Sequence, residues 1–442
     1  MKKFTKKVLL AVLTVFLVAS IIGCGNPSSE SEPDTGNGGD SGGETQIPAV
    51  TLTSITANGT LETALYYIGD GLDTSVLTVT ATYSDGSSKT VTGFSAIPFS
   101  EVNIGTEQNV TISYTENGVT KTTQVKGTFY VAASDARPTE TPIDLGGNIY
   151  KFGDFPQTVS TLTGDTAYTG EPICNGWYLG SDGYFYAKCT ENAYEDGYKY
   201  SNNTTVAQSS ANSEKYFKVE PIKWRVLTTD YNGTGKKLLL AKNTLIAKVP
   251  YYGGTFNRTL KGKDICANNY KYSNIRAYLN GTKNQFVTDG GTATANDIDW
   301  SGKGFIDIAF TASAQSYITE SSIDNSKEST TDAGNNLPMA ENYYCDDTTD
   351  KIFLLSELEV TKTEYGFAVY NSDVNSNRDL VPTDYAMANY AFLRDGSGYW
   401  WLRSPSNTNN DKARFVNDFK YAKNDNNVNF GVIGVVPALC LN

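Results

Sequence analysis

The chain has 442 residues, of which 39% are hydrophobic and 19% charged, and its formal net charge is −12. This length predicts two or three folded domains. The excess of negative charge argues against nucleic acid as a partner, because phosphate backbones are anionic. The chain contains no His, which excludes Ser-His-Asp and Cys-His catalysis, His general bases and His-ligated metals. We expect neither a cofactor nor a bound metal.

The N-terminal residues have the pattern of an export signal. Four lysines within residues 2–7 precede an apolar run over residues 8–22, which is too short for a comfortable membrane span. The run ends Ile21-Ile22-Gly23-Cys24 and resembles the lipobox of bacterial lipoprotein signal peptides. That resemblance implies a signal peptide over residues 1–23, a lipid on Cys24 that inserts into the membrane, and an extracytoplasmic location at the cell surface or outer membrane. A plain secretory signal is the alternative.

Two segments have too few apolar residues to form a core. Residues 24–48 are rich in Ser, Gly, Glu and Asp, a composition typical of disordered chain, so we expect a flexible tether. Residues 133–147 carry Ser, Asp, Pro and Thr and are predicted to link two folded domains.

Residues 49–132 alternate apolar and polar side chains with a period of two. Leu77–Tyr83 is one such run, and the run from Val110 turns at Asn117-Gly118. Short alternating strands with such turns predict a β-sandwich. The run Val79-Thr80-Ala81-Thr82-Tyr83-Ser84-Asp85-Gly86, with the strand from Val110, resembles bacterial Ig-like domains of cell-surface proteins. The resemblance implies a domain that spaces or presents another.

Residues 148–442 mix strand and helix patterns and predict one α+β domain. Apolar strands are expected at residues 217–227, 237–241, 352–355 and 399–403. Helix starts are indicated by N-cap residues, namely Ser273 with Gly281 as the stop, Thr311 before residues 312–318, and Thr383 before a helix through Tyr390. Ser356-Glu357-Leu358-Glu359 fits a capping box.

Several motifs of this domain occur in the order found in a known family. They are Lys151-Phe152-Gly153, Pro221-Ile222-Lys223-Trp224-Arg225-Val226-Leu227, Ile275-Arg276-Ala277-Tyr278-Leu279-Asn280, Ile352-Phe353-Leu354-Leu355-Ser356, Trp400-Trp401-Leu402-Arg403-Ser404-Pro405 and Val435-Val436-Pro437-Ala438-Leu439. Together they resemble a domain of unknown function that is common in lipoproteins of anaerobic bacteria. That family usually ends Gly-Val-Arg-Pro-Ala-Leu, and Val436 stands here in place of the Arg.

The layout of the domain, with helices early and a Trp-rich strand before a polar C-terminal segment, is similar to C-type-lectin-like domains of the sulfatase-modifying type. This resemblance implies an exposed ligand face on the C-terminal strands and loops. The residues expected to form it are amides and aromatics: Tyr399, Trp401, Asn407, Asn409, Asn410, Phe415, Asn417, Tyr421, Asn424, Asn426, Asn427, Asn429 and Phe430. At least one of Trp400 and Trp401 should be buried with Leu402, and Val416 and Val428 should point inward.

Some proteins of that fold are diversified by retroelements that mutate adenines and therefore scatter Asn codons into Tyr, Asp, Ser and Phe. The segment 406–430 is crowded with these residues. A diversified binding face and ordinary Asn-rich turns both fit this composition.

The cysteines suggest one cross-strand pair. A hairpin is predicted over Trp177–Tyr186, turning at Ser181-Asp182-Gly183, and Cys174 and Cys189 lie symmetrically about its centre. A four-residue loop would place the two cysteines opposite each other and allow a disulfide. A three-residue loop would shift the register.

The leading hypothesis is a surface lipoprotein in which an Ig-like spacer presents a C-type-lectin-like head that binds an extracellular protein or glycan. Two alternatives stay open. One is a hydrolase that cleaves glycans with a pair of carboxylates, which needs no His. The other is a structural or adhesive envelope protein.

Overall fold

The computed structural model describes residues 48–208, 213–330, 343–369, 377–422 and 424–442. Val50–Asn442 forms one compact unit. The protein is multidomain and strand-rich, with 38% strand and 12% helix. No helix among these residues is both long and apolar enough to cross a bilayer. The predicted signal peptide and Cys24 lie outside the described residues.

The first seven strands form a β-sandwich, as predicted from the alternation. They are β1 (Leu52–Asn58), β2 (Leu65–Tyr67), β3 (Thr78–Tyr83), β4 (Ser88–Val91), β5 (Ser95–Ala96), β6 (Asn103–Glu116) and β7 (Val119–Ala132). One sheet has the order β1-β3-β4 and the other β2-β7-β6-β5. Inward residues such as Val79, Ile112 and Phe129 are fully buried between the two sheets.

The β6–β7 hairpin illustrates why the turns were predictable. Asn117 and Gly118 have φ values of 50° and 78°, the left-handed conformation that a two-residue hairpin loop of type I′ requires. Glu116 pairs with Val119 across the turn. The predicted position of this hairpin is confirmed.

The remaining strands belong to the C-terminal domain. They are β8 (Ile143–Asp144), β9 (Ile149–Val159), β10 (Tyr178–Leu179), β11 (Phe185–Thr190), β12 (Glu214–Thr228), β13 (Lys237–Ala241), β14 (Arg258–Leu260), β15 (Lys263–Ile265), β16 (Ile318–Thr319), β17 (Ser321–Ile323), β18 (Thr348–Asp350), β19 (Ile352–Phe353), β20 (Leu393–Arg394), β21 (Ser397–Gly398), β22 (Trp400–Pro405), β23 (Lys412–Val416), β24 (Asn424–Asn427) and β25 (Ala438–Leu441). The main sheet follows the order β10-β11-β12-β13-β25-β16, with β9 and β8 joined through β12 and β19 through β25. Its core side chains include Trp224, Leu239 and Leu439, each fully buried.

Six short helices accompany these strands: α1 (Asn274–Asn280), α2 (Gln285–Thr288), α3 (Phe305–Ala309), α4 (Ala312–Gln315), α5 (Lys327–Thr330) and α6 (Asp384–Ala388), counted in the described residues. The predicted N-caps Ser273, Thr311 and Thr383 each accept a backbone N–H of the first turn, and Gly281 ends α1 with a φ of 60°. Helix α4 is shorter than predicted because Ile318 pairs with Leu441 in the main sheet.

Part of the segment predicted as a linker packs against the C-terminal domain. Ile143–Asp144 pairs with β9, and Thr139 donates through its backbone N and its hydroxyl to the Asp154 carboxylate at 2.6 and 2.9 Å. Burial raises the pKa of Asp154, although these hydrogen bonds oppose the rise. Part of residues 133–147 is therefore ordered against the C-terminal domain, which its composition did not indicate.

The β10–β11 hairpin packs against the Ig-like domain. The backbone N of Ala133 donates to the carbonyl of Gly183 at 3.0 Å, and the Phe185 ring lies 6.5 Å from that of Tyr67. Phe185 and Leu179 are buried in a cluster that also includes Ala132 of β7. Gly183 has a φ of 85°, and a Cβ at this position would lie 2.7 Å from a methyl of Val102.

The predicted hairpin is confirmed, but the predicted disulfide is wrong. Leu179 pairs with Phe185, and the 2.8 Å bond from Gly180 N to Tyr184 O leaves a three-residue loop. This register removes the symmetry about the loop on which the pairing rested. The backbone of Cys174 instead pairs with that of Trp177 in a separate turn, and within the described residues Cys174 and Cys189 are not joined by a disulfide.

Candidate ligand-binding face

The Trp-rich strand β22 lies in the interior of the domain. Trp400, Trp401 and Leu402 are each 0% exposed, which confirms that at least one Trp is buried with Leu402. The expectation that Trp401 faces a ligand is wrong. Its ring lies between Tyr251, at 5.7 Å, and Phe415, at 6.2 Å, because both faces of this strand are covered.

The neighbouring strand β23 is likewise covered on both faces. Val416 and Val428 are fully buried, as predicted. Phe415 is 6% exposed and packs on Tyr399 at 5.1 Å, so its assignment to the ligand face is wrong. The alternation rule assumes one solvated face, and β23 has none.

Asn417 was also expected to face outward, but it is buried. The side-chain Oδ1 of Asn417 accepts the backbone N–H of Tyr421 at 2.9 Å, and the backbone N–H of Asn417 donates to the carbonyl of Tyr421 at 3.2 Å. These two bonds close the turn between β23 and β24. Asn417 is therefore a residue of the turn scaffold.

The loop over residues 406–411 is held from below by the buried Asn268. The side-chain amide of Asn268 donates to the carbonyls of Asn409 and Lys412, both at 2.9 Å. Its backbone N donates to the carbonyl of Asn410 at 3.1 Å. Since these bonds go to backbone atoms, they fix the path of the loop whatever side chains it carries.

Within this loop, some predicted amides already have protein partners. Asn407 Oδ1 accepts from Arg414 at 2.7 Å, and Asn410 Nδ2 donates to Asn257 at 3.1 Å. Asn409 Nδ2 donates to the hydroxyl of Thr408 at 3.0 Å. All three asparagines are half-buried, so a ligand would compete with existing hydrogen bonds here.

The loop and β24 are joined by a buried charge cluster. Arg414 lies 3.4 Å from Glu357 and 3.7 Å from Asp425, and Lys412 lies 3.7 Å from the same Asp425. Ser406 donates to Asp425 at 2.6 Å. These pairs of opposite charge hold β24 against β23 and β23 against Glu357.

Strand β24 forms the open edge of the three-stranded sheet β22-β23-β24. Asn426 is half-buried, and Asn427 and Asn429 are exposed. Phe430 is half-buried and packs against the main core. Asn424 pairs with Phe415 through its backbone; its side chain lies outside the described residues.

The tip of the β23–β24 hairpin, residues 417–421, carries an aromatic pair, Phe419 and Tyr421. The Phe419 side chain is 63% exposed, and its ring lies 6.3 Å from that of Tyr421 with 26° between the planes. Phe419 was not among the residues predicted for the ligand face, because those were chosen as the asparagines of this segment and the aromatics beside them. An aromatic residue in the middle of a polar turn was the available indication.

Ion pairs tie both sides of this tip to other segments. Asp418 lies 3.7 Å from Arg394, and Lys420 lies 3.1 Å from Asp379. Lys420 has a φ of 66°, a left-handed turn conformation. The backbone around Phe419 is therefore held in place while its ring points to solvent.

Tyr399 lies at the edge of the same region and is half-buried. Its ring stacks on Phe392 at 3.8 Å with 19° between the planes. Burial raises the pKa of Tyr399 to about 12. Tyr399 therefore packs against the core at this edge.

A separate pocket of about 410 Å³ bears on the hydrolase alternative. Its lining includes three carboxylates, those of Asp324, Glu328 and Glu359, beside Arg403 and Lys362. Glu359 accepts hydrogen bonds from Tyr231 at 2.7 Å and from Ser356 N at 2.8 Å, and it is ion-paired with Arg403.

These contacts determine the ionisation of the pocket. Burial raises the pKa of Glu359, but the Arg403 charge and the hydrogen bonds from Arg403, Ser356 and Tyr231 together outweigh it, and the net shift of the pKa is downward. Burial likewise raises the pKa of Asp324, but hydrogen bonds from Ser326 and Ser329 and the Arg403 charge together lower it more. A general acid needs a carboxyl with a raised pKa, and these two carboxyls have lowered values.

The capping box predicted at residues 356–359 is confirmed by the reciprocal bonds Ser356 N to Glu359 and Glu359 N to Ser356 Oγ, at 2.8 and 3.1 Å.

No group of three or more His, Cys, Asp or Glu suited to a metal occurs in the part of the chain that the structure describes.

Comparison with family models identifies two regions. The model of bacterial Ig-like domains of group 3 matches residues 62–127, and the model of a domain of unknown function, DUF6273, matches residues 234–442. No match was found among curated proteins. The DUF6273 match contains the whole candidate ligand-binding face but begins after the motifs at residues 151–153 and 221–227, so it is narrower than the expected resemblance.

Proposed function

We propose that this protein is a lipid-anchored, extracytoplasmic binding protein whose C-terminal domain takes an extracellular protein or glycan at the tip and edge of the β23–β24 hairpin. The observation that carries the proposal is Phe419, an exposed ring on a turn fixed by two ion pairs. An exposed aromatic on a rigid support resembles the anchors that dominate binding energies. The Ig-like domain on the same unit then orients this face.

Binding is favoured over glycan hydrolysis by the state of the acidic pocket. Glu359 has its oxygens occupied by Arg403, Tyr231 and Ser356. A carboxylate held in this way stabilises the fold and is a poor proton donor. An adhesive envelope protein would use the same hairpin tip, so that alternative differs from ours only in the partner.

A C-type-lectin-like fold for the C-terminal domain remains part of the proposal. It is supported by the buried Trp pair of β22 and by a polar edge strand near the C-terminus. If a retroelement diversifies the face, the exposed positions free to vary are Asn427 and Asn429, whereas Trp401 and Phe415 are core residues. A reverse-transcriptase gene beside a near-copy of the 3′ end would support this.

The lipid anchor rests on the residues before Cys24. Cys24→Ala should leave the precursor unprocessed or release the protein from membranes, measured by fractionation and intact mass. A variant that stays membrane-bound with the wild-type mass would overturn the anchor.

The binding face is tested with glycan and extracellular-protein arrays. We expect the purified protein to bind at least one array member, and the triple variant Tyr421→Ala, Asn427→Ala, Asn429→Ala to lose about tenfold in affinity while keeping its thermal midpoint. The matched control is Asn109→Ala with Gln124→Ala, two exposed positions of the Ig-like domain. A wild-type protein that binds nothing, or a triple variant that binds equally well, would overturn the proposal.

A further inference from the structure

The chemistry at the hairpin tip narrows the class of ligand. Phe419 and Tyr421 present two nearly parallel rings, 26° apart in plane. Their neighbours in the turn are Asn417, Asp418 and Lys420, an amide and two charges. Asn417 and the Asp418 carboxylate are buried, so the apolar surface at the tip is a narrow strip bordered by the half-buried Lys420.

A narrow strip suits a sugar better than a protein. A stable protein interface buries about 1,200–2,000 Å² around a continuous apolar centre. A sugar ring is small and has one C–H face, which packs on an aromatic ring, and a rim of hydroxyls, which hydrogen-bond to amides and charged groups. The exposed Phe419 ring, stacked on Tyr421, can take one sugar unit of a chain.

The charges at the tip favour a neutral sugar. Asp418 is paired with Arg394 and Lys420 with Asp379, so the local charges compensate each other. The whole chain carries a net charge of −12, which repels anionic polymers at moderate ionic strength. Both charges of the turn are already paired within the protein, which favours an uncharged ligand.

The tip is also pre-organised. The Asn417 side chain closes the turn by accepting the N–H of Tyr421 at 2.9 Å, and the two ion pairs hold the residues on either side of Phe419. Binding therefore costs little ordering of the protein, which favours affinity for a flexible chain that must itself be ordered.

We propose that Phe419 and Tyr421 form a stacking platform for a neutral, hydroxyl-rich polysaccharide. The proposal rests on the binding function above and specifies its ligand class. Phe419 is the primary contact, and Tyr421 supplies the second ring together with a hydroxyl.

Native gels containing dextran, galactomannan or mixed-linkage β-glucan, and gels containing alginate as an anionic polymer, test this platform. We expect at least one neutral polysaccharide to retard the full-length protein and alginate to leave it unretarded. Phe419→Ala should weaken the retardation about tenfold, and Phe419→Tyr should preserve it.

Phe256→Ala is the matched control. Phe256 is 52% exposed, but its ring meets Tyr252 edge-on, at 74°, so it offers no parallel pair and its loss should not change retardation. Retardation by alginate alone, none by the neutral polymers, or equal retardation of wild type and Phe419→Ala would overturn the platform. If Phe419→Ala instead abolishes binding to a protein on the arrays, the binding function stands and the glycan assignment falls.

Discussion

Two hairpins of the C-terminal domain, β10–β11 and β23–β24, carry aromatic residues near their tips and use them in opposite ways. In the first, Phe185 is 5% exposed and packs near Tyr67 of the Ig-like domain. In the second, Phe419 is 63% exposed. The first hairpin joins two domains of this chain, whereas the second keeps its ring available to a ligand.

The contacts of the first hairpin make the Ig-like domain more than a tethered spacer. The cluster that buries Phe185 and Leu179 includes Ala132, the last residue of β7. Arg137, in the segment predicted to be a linker, lies 4.4 Å from the Tyr67 ring and pairs with Asp70. The two domains therefore share buried apolar surface.

The largest loss of stability should follow from removing the buried Phe185 ring of the first hairpin. Phe185→Ala removes a buried ring and leaves a cavity, so we expect the free energy of unfolding to fall by about 3–5 kcal/mol, measured by urea denaturation. A loss below about 1 kcal/mol would mean that this hairpin is as loosely packed as the second one.

Gly183→Ala tests the contact itself. The new methyl would lie 2.7 Å from Val102 and 2.8 Å from the backbone N of Ala133, and we expect a loss of about 1–3 kcal/mol with faster proteolysis within residues 133–147. Gly86→Ala is the control, because Gly86 has a similar φ of 82° with nothing within 4 Å. Equal losses in the two variants would trace the effect to backbone strain and not to the domain contact.

Asn417→Ala should loosen the second hairpin only locally. It removes the acceptor of the Tyr421 N–H, so the unfolding free energy should fall by about 1 kcal/mol and amide exchange at Tyr421 should accelerate. Asn429→Ala, at an exposed position nearby, should leave both quantities unchanged. Unaltered exchange in Asn417→Ala would show that the ion pairs alone hold the turn.

Phe419→Ala should have the smallest effect on stability. Because its ring is mostly exposed, we expect a change within about 0.5 kcal/mol by the same urea titration that is applied to Phe185→Ala. A loss comparable to that of Phe185→Ala would remove the contrast and show that Phe419 belongs to the scaffold.

Local features of this chain were predictable because their causes are local. Ser273 and Gly281 bound α1 through capping bonds made within the helix and its ends, and Asn117-Gly118 forms its turn through left-handed backbone angles. The alternation of β3 was enough to predict Val79 and Ala81 as core residues. The assignment of Trp400 and Leu402 to the interior required only their large apolar surface.

What faces solvent near the C-terminus was decided by the tertiary structure. Trp401, Phe415 and Asn417 were placed on the ligand face because their neighbours pointed inward, yet all three are buried. A strand covered on one side follows the alternation, whereas β22 and β23 are covered on both, and the covering residues, such as Tyr251 for Trp401, are distant in the sequence.

Residues close together in the chain were enough to predict the β-sandwich, the helix caps, the hairpin positions and the burial of the Trp-rich strand. Contacts between distant segments, in contrast, produce the three-residue loop between Cys174 and Cys189, the docking of Gly183 on the Ig-like domain and the exposure of Phe419. These features depend on strand register and on which surfaces meet. Local sequence patterns predict neither, because both involve residues that are distant in the chain.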